Sequence, residues 1–220
     1  MKLVIFDCDG TLIDSQHGIV ESMSRALADE GLRPLPREDI LSVVGLSLTF
    51  AVERLLPSAA PDVVARVVDG YRNAFTELRQ DKSIAEPLYD GIKDLVATLN
   101  ARHDVFLGVA TGKSIRGVNR LFDQHDWHTA FVTMQTADTN MSKPHPEMIE
   151  KAMSEAGVDV ADTVMIGDTT FDIEMAGNAG VRGLGVAWGY HPIDELHRAG
   201  AHSVAHDSAA LSDAIDQFLG

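Results

Sequence analysis

A chain of 220 residues with 45% hydrophobic side chains can bury a sizeable core as one domain, or as one domain with a smaller insertion. Its 33 acidic side chains against 18 basic ones give a net charge of −15, which repels nucleic acid and anionic membrane surfaces; spread along the chain, the surplus reads as ordinary solubility. The single cysteine, Cys8, excludes an intrachain disulfide and suits a reducing, cytoplasmic setting, while no apolar run approaches the ~20 residues of a membrane span.

The first apolar run, Leu3–Phe6, predicts a buried strand. The opening MKLVIFDCDG is too short, and too soon broken by Asp7, for a signal-peptide core. The strand leads straight into DCDGT, with Asp7, Asp9 and Asp14 close together. Gly10 lets the chain leave strand geometry at once, so that Asp7 and Asp9 can face one site. Two such carboxylates repel, which implies a cation, a shared proton, or both. An aspartate can also attack phosphorus, with its neighbour protonating the leaving oxygen and then activating water. Taken alone, the pentapeptide reads equally well as a hydrated turn with helix-capping acids. Cys8, between two carboxylates, is disfavoured as a thiolate and reads as a small packing residue.

From Gln16 to Ala85 no strand pattern occurs. Ile19, Met23 and Leu27, then Val63, Val67, Val68, Tyr71 and Phe75, recur at helical spacing, with prolines at 34, 36, 57, 61 and 87 as punctuation. The expected organisation is an all-α cap domain, 16–85, inserted into a core made of 1–15 and 86–220. Beyond it, helical patterns at Ile92–Ala101, Ser114–Gln124, Pro146–Ala156 and Phe171–Ala179 alternate with strand patterns. The strands are Val105–Ala110, Ala130–Thr133, Thr163–Ile166, Gly183–Ala187 and a weaker Ser203–Ala205. Such alternation predicts an α/β core, a Rossmann-like parallel sheet with helices on both faces. Ligands of such sheets bind beyond the carboxyl ends of the strands.

Three more polar turns follow or trail those strands. VATGKS offers the Thr111 hydroxyl, the unhindered Gly112 N–H and a helix start; it has no Walker pattern, and Lys113 reads as a solvated helix residue. SKPHPE sets Lys143 before Pro144, whose ring suits the first turn of a helix; the lysine can neutralise phosphate charge or hold down Asp7. GDTTFDIE places Asp168 and Asp172 at i and i+4, where they can help hold a hard cation such as Mg²⁺, or Asp168 and Thr169 can cap a helix. Together these turns supply the parts that phosphoryl transfer needs.

With these four motifs in this order, the chain resembles the haloacid dehalogenase-like superfamily over nearly its whole length. DCDGT at 7–11, Thr111, Lys143 and GDTTFD at 167–172 look like that family's four motifs. The helical insertion after DGTLIDS looks like the small α-helical cap, and the nearest likeness is to phosphoglycolate phosphatases. The resemblance implies that Asp7 is the nucleophile and Asp9 the general acid and base. It gives Thr111, Gly112 and Lys143 to the phosphoryl group, and Mg²⁺ to Asp7, the Asp9 main-chain carbonyl and Asp168. Asp172 then supports the metal waters or Lys143. Asp9 argues against a dehalogenase. Lys82, the only cap lysine, is a poor Schiff-base candidate and reads as solvated, which argues against a phosphonate-cleaving enzyme.

The expected activity is a Mg²⁺-dependent phosphatase on a small phosphorylated metabolite, in the manner of phosphoglycolate, with no nucleic-acid or membrane partner, as a monomer or homodimer. The alternatives are a phosphomutase of the β-phosphoglucomutase type and a binding or regulatory protein without turnover. Specificity is expected from the cap, with hinges near 15–16 and 85–91. His17, Gly45 and Leu46 are the candidate substrate contacts, although His17 reads more readily as a surface histidine. Arg25, Arg54, Arg66, Arg72 and Arg79 are further cations of that region, and His191 reads as cleft rim or aromatic packing.

Overall fold

The computed structural model describes residues 1–81 and 84–220; Lys82 lies outside the described residues. Six strands form one parallel sheet: β1 (Lys2–Phe6), β2 (Val105–Thr111), β3 (Phe131–Thr136), β4 (Thr163–Gly167), β5 (Arg182–Val186) and β6 (Ser203–Ala205), in the order β3-β2-β1-β4-β5-β6. The chain builds outward from β1 to β3, then returns to the other side of β1 with β4. The strand order therefore reverses between β1 and β4, where open α/β sheets leave a crevice at their carboxyl edge.

Period-2 alternation splits the strands between two cores. Val4, Phe6, Val164 and Ile166 point to one face, covered by α5 (Ile92–Asn100), α6 (Ile115–His125) and α10 (Ser208–Leu219). Leu3, Ile5 and Met165 point to the other, covered by α7 (Glu147–Ala156) and α8 (Thr170–Asn178). The sheet ends on the short β6, which follows α9 (Ile193–Arg198) in the chain. Both faces being covered explains why β1 and β4 read as near-continuous apolar runs.

Four helices stand between β1 and α5: α1 (Gln16–Asp29), α2 (Arg37–Leu41), α3 (Leu48–Leu55) and α4 (Pro61–Gln80). Ile19, Met23, Ala26 and Leu27 of α1 meet Val64, Val67, Val68 and Phe75 of α4 in a third core of their own, completed by Ile40 and Val52. Among the described residues, no helix is long and apolar enough to cross a membrane.

Several details depart from the sequence reading. β3 runs on to Thr136, past the polar Thr133 and Gln135, which are buried and share Glu155 as a hydrogen-bond acceptor. Helices α9 and α10 had no counterpart among the predicted elements. Pro144 is not in the first turn of a helix: the Lys143–Pro144 bond is cis, and α7 begins at Glu147.

Phe122 centres an aromatic cluster, stacked on Phe131 at 4.9 Å and edge-on to Trp127 at 6.3 Å. Phe122→Ala is expected to lower stability by about 3–5 kcal/mol, read from the urea midpoint. Cys8 is fully buried in the same core, and burial together with Asp7 and Asp9 pushes its thiol up. Iodoacetamide at pH 8 is expected to leave the native thiol intact and to alkylate it only in denaturant; rapid native labelling would contradict this burial.

Candidate active site

The DCDGT turn forms because the chain curls back on one carbonyl: Cys8 O accepts from the N–H groups of Thr11, Leu12 and Ile13. Gly10 adopts φ +90°, and a Cβ there would stand 2.3 Å from Asp168 Oδ2. Gly189, in the turn after β5, is pressed as closely: a Cβ would fall 2.1 Å from Asp168 Cβ. Two bare backbones thus let the turns after β1, β4 and β5 converge.

At the reversal between β1 and β4, carboxylate oxygens of Asp7, Asp168 and Asp172 lie within 4.8 Å of one another, all three residues buried. Lys143 reaches them from the turn after β3, its Nζ 2.6 Å from Asp172 Oδ1 and 3.0 Å from Asp7 Oδ1, with its side chain fully covered. Burial raises the Asp7 carboxyl to about 6; Lys143 opposes the rise and Asp172 adds to it. Asp168 is pushed well above the usual carboxylate range by burial, then by Asp172 and Asp7. Burial lowers Lys143, but Asp172 and Asp7 outweigh it and hold the ammonium charged.

Hydrogen bonds fix two of the acids. Asp168 accepts from Thr11 Oγ1 at 2.8 Å and from the Tyr190 N–H at 2.9 Å. Asp172 closes a capping box on α8, accepting from Thr169 N and Oγ1. Neither buried oxygen of Asp7 accepts a well-aligned hydrogen bond. Carboxylate oxygens without an aligned hydrogen bond, beside two further carboxylates, form an all-oxygen donor set that fits a hard divalent cation.

The Asp9 side chain turns elsewhere. Its Oδ1 accepts from Ser15 Oγ and from Lys113 Nζ, each at 2.6 Å. Burial pushes Asp9 up, but Lys113 prevails and holds it below the usual carboxylate range. The expectation of a solvated Lys113 is therefore corrected. Its side chain is 8% exposed, lies along Gly117 and continues to Glu86 Oε1 at 3.0 Å. Arg79 of α4 pairs with the other Glu86 oxygen and stacks 4.4 Å over Phe75. An ion chain, Asp9, Lys113, Glu86, Arg79, thus runs from the DCDGT turn to the helical block.

A cavity of about 730 Å³ lies over these groups. Asp7, Asp9, Thr111, Gly112 and Lys113 line it from the sheet edge, and Gly45 and Leu46 from the helices. The Gly45 turn, at φ +101°, rests on the sheet: a Cβ on Gly112 would meet Leu46 O at 2.6 Å and Gly45 O at 2.7 Å. His17, offered as a substrate contact, is exposed and outside this lining. Arg25 and Arg66 make exposed ion pairs on the helices, Arg54 packs over Phe171, and Arg72 and Arg79 reach the cavity. His191 is packed, not rim: edge-on to Phe171 at 5.4 Å, it accepts from Thr170 N–H at Nδ1 and so donates from Nε2 to Ser42 O at 3.1 Å. Sequence reasoning missed Ser15, Glu86 and Tyr190. Ser15 closes the DGTLIDS stretch and could have been flagged, whereas Glu86 and Tyr190 gain meaning only from contacts distant in sequence.

Residues 4–186 match the family model described as Haloacid dehalogenase-like hydrolase. The chain is 37% identical to a protein of Dickeya dadantii named "Probable phosphatase IndB", covering 90% of this chain and 86% of that one. It is 32% identical to the pyrophosphatase PpaX of Anoxybacillus flavithermus, covering 86% and 84%. It is 30% identical to a phosphoglycolate phosphatase of Agrobacterium fabrum, covering 99% and 93%. The crystal structure of a hydrolase from Pseudomonas syringae superposes with a TM-score of 0.86 at 25% identity, over 99% of each chain. With four motif turns gathered at one sheet edge and a family model spanning most of its length, the chain belongs to the haloacid dehalogenase-like hydrolases.

Proposed function

We propose that this chain is a Mg²⁺-dependent phosphatase that hydrolyses a small phosphorylated metabolite through an aspartyl-phosphate on Asp7. The observation that carries the reading is the Asp7 carboxylate itself: buried, without an aligned hydrogen bond, 3.0 Å from an ammonium, and lining a cavity large enough for a substrate. The names of the relatives support phosphatase chemistry and diverge on substrate.

In this reading an Asp7 oxygen attacks phosphorus, and the ester oxygen leaves with a proton from Asp9. Asp9 then takes a proton from water, which attacks the phosphorus of the Asp7 phosphate and releases inorganic phosphate. Asp9 rests ionised against Lys113 and Ser15, the form suited to the second step. To serve as acid in the first, it must exchange the Lys113 contact for a proton. The Thr111 hydroxyl and the Gly112 N–H receive the phosphoryl oxygens, and Lys143 offsets charge on Asp7 and on the group transferred. Mg²⁺, held by Asp7, Asp168 and the Asp9 main-chain carbonyl, supplies neutralisation of the phosphoryl oxygens beside the nucleophile. Asp172 keeps Lys143 in place. The helical block, 16–85, serves as a cap that excludes water, with Gly45 and Leu46 over the phosphoryl site.

Phosphate release from a panel of phosphorylated metabolites, with Mg²⁺ and with EDTA, tests the reading. Turnover is expected to vanish with EDTA and to return with excess Mg²⁺. Asp7→Asn should abolish it, and full rate in that variant would sink the aspartyl-phosphate. Asp9→Asn should cost about 10²–10⁴-fold in kcat, the usual weight of general acid–base catalysis; rapid acid quench should still find phosphate on Asp7 when the substrate has a good leaving group.

A further inference from the structure

The cavity lining has a chemistry beyond its carboxylates. Five basic side chains line the cavity: Arg72, Arg79, Lys113, Arg116 and Arg120. Three are engaged, Arg72 with Asp69, Arg79 with Glu86, and Lys113 with Asp9 and Glu86. Arg116 and Arg120 have no ion-pair partner among the described residues, in a chain of net charge −15. They sit at i and i+4 on α6, one turn apart on one face. Asp138, which lines the cavity with Asp7 and Asp9, accepts from the Ile115 N–H at 2.7 Å where α6 begins and makes no ion pair with either arginine. Two exposed guanidinium groups on one face, without an ion-pair partner, suit a carboxylate or phosphate.

The same cavity also collects apolar surface. Among the described residues six large hydrophobic side chains stand exposed, and three of them, Phe50, Ile115 and Met141, line this cavity. Phe50 comes from the helical block, Ile115 and Met141 from the sheet domain, so the apolar lining draws on both. A volume of about 730 Å³ lies in the upper part of the roughly 300–1,000 Å³ range of pockets for drug-sized ligands. A two-carbon phosphoester would leave most of it in water.

Resting on the phosphatase reading, we propose that the substrate is a phosphomonoester with an extended, largely apolar body and a second anionic group. The body packs on Phe50, Ile115 and Met141 while Arg116 and Arg120 hold the distal anion. This contact makes the discrimination one of binding, so it falls on KM.

Four probes separate the elements: phenyl phosphate, 4-carboxyphenyl phosphate, 1,4-phenylene bisphosphate and phosphoglycolate, each assayed for phosphate release with Mg²⁺. At least one of the two anionic aryl probes should exceed phenyl phosphate in kcat/KM by about ten-fold or more, as expected for charge-assisted hydrogen bonds. Which one does so tells carboxylate from phosphate. The same probe should exceed phosphoglycolate, which has a carboxylate and no apolar body. In R116Q/R120Q the ratio of that probe to phenyl phosphate should fall to near one, through KM. Equal kcat/KM for all three aryl probes, a ratio that survives R116Q/R120Q, or a clear preference for phosphoglycolate overturns this inference and leaves the phosphatase standing. No phosphate release from these probes or from the metabolite panel overturns both.

Discussion

Three buried carboxylates against one buried ammonium is the constraint around which the sheet edge is organised. Asp7, Asp168 and Asp172 cannot all ionise away from water without compensation, and Lys143 supplies a single positive charge. The surroundings respond in kind: Thr11, Thr169 and the Tyr190 N–H donate to Asp168 and Asp172, while Asp7 keeps its oxygens free of aligned donors. The carboxylate left least satisfied is the one assigned the nucleophile's role. A site that costs folding energy at one atom and satisfies its neighbours is what differential stabilisation of a transition state requires.

That arrangement also accounts for the glycines. Gly10 and Gly189 pass so near Asp168 that no side chain fits at either position. Gly167, at the end of β4, is as closely covered by Asp172, 2.2 Å from where a Cβ would stand. Glycine is needed here for approach as much as for conformational freedom, because the Asp168 and Asp172 side chains lie directly against these stretches of backbone.

The sheet was legible because its strands are covered on both faces and so read as apolar runs; the motif residues were legible because they follow those runs at the carboxyl edge. Where burial is polar, the pattern fails. Thr133 and Gln135 extend β3 through hydrogen bonds to Glu155, a partner that no periodicity reveals. α10 buries Leu211, Ile215, Phe218 and Leu219 at good helical spacing, yet its polar residues and lack of a following strand hid it from an argument built on alternation. Lys113 was misread for a different reason. A lysine at a helix start is commonly solvated, and only the return of the chain through Glu86 and Arg79 encloses it.

The contact between Gly112 and the Gly45–Leu46 turn has a mechanical consequence. It is main chain on main chain, with the Gly45 and Leu46 carbonyls standing where a Cβ at 112 would be. Side-chain rotamers do not enter such a contact; the closest approach is the van der Waals limit of two backbones. It acts as a hard stop that limits how near the Gly45–Leu46 turn can come to the carboxyl end of β2. The closest approach at this point is thereby set by main chain, whereas Phe50, Ile115, Arg116 and Arg120 line the same cavity with side chains.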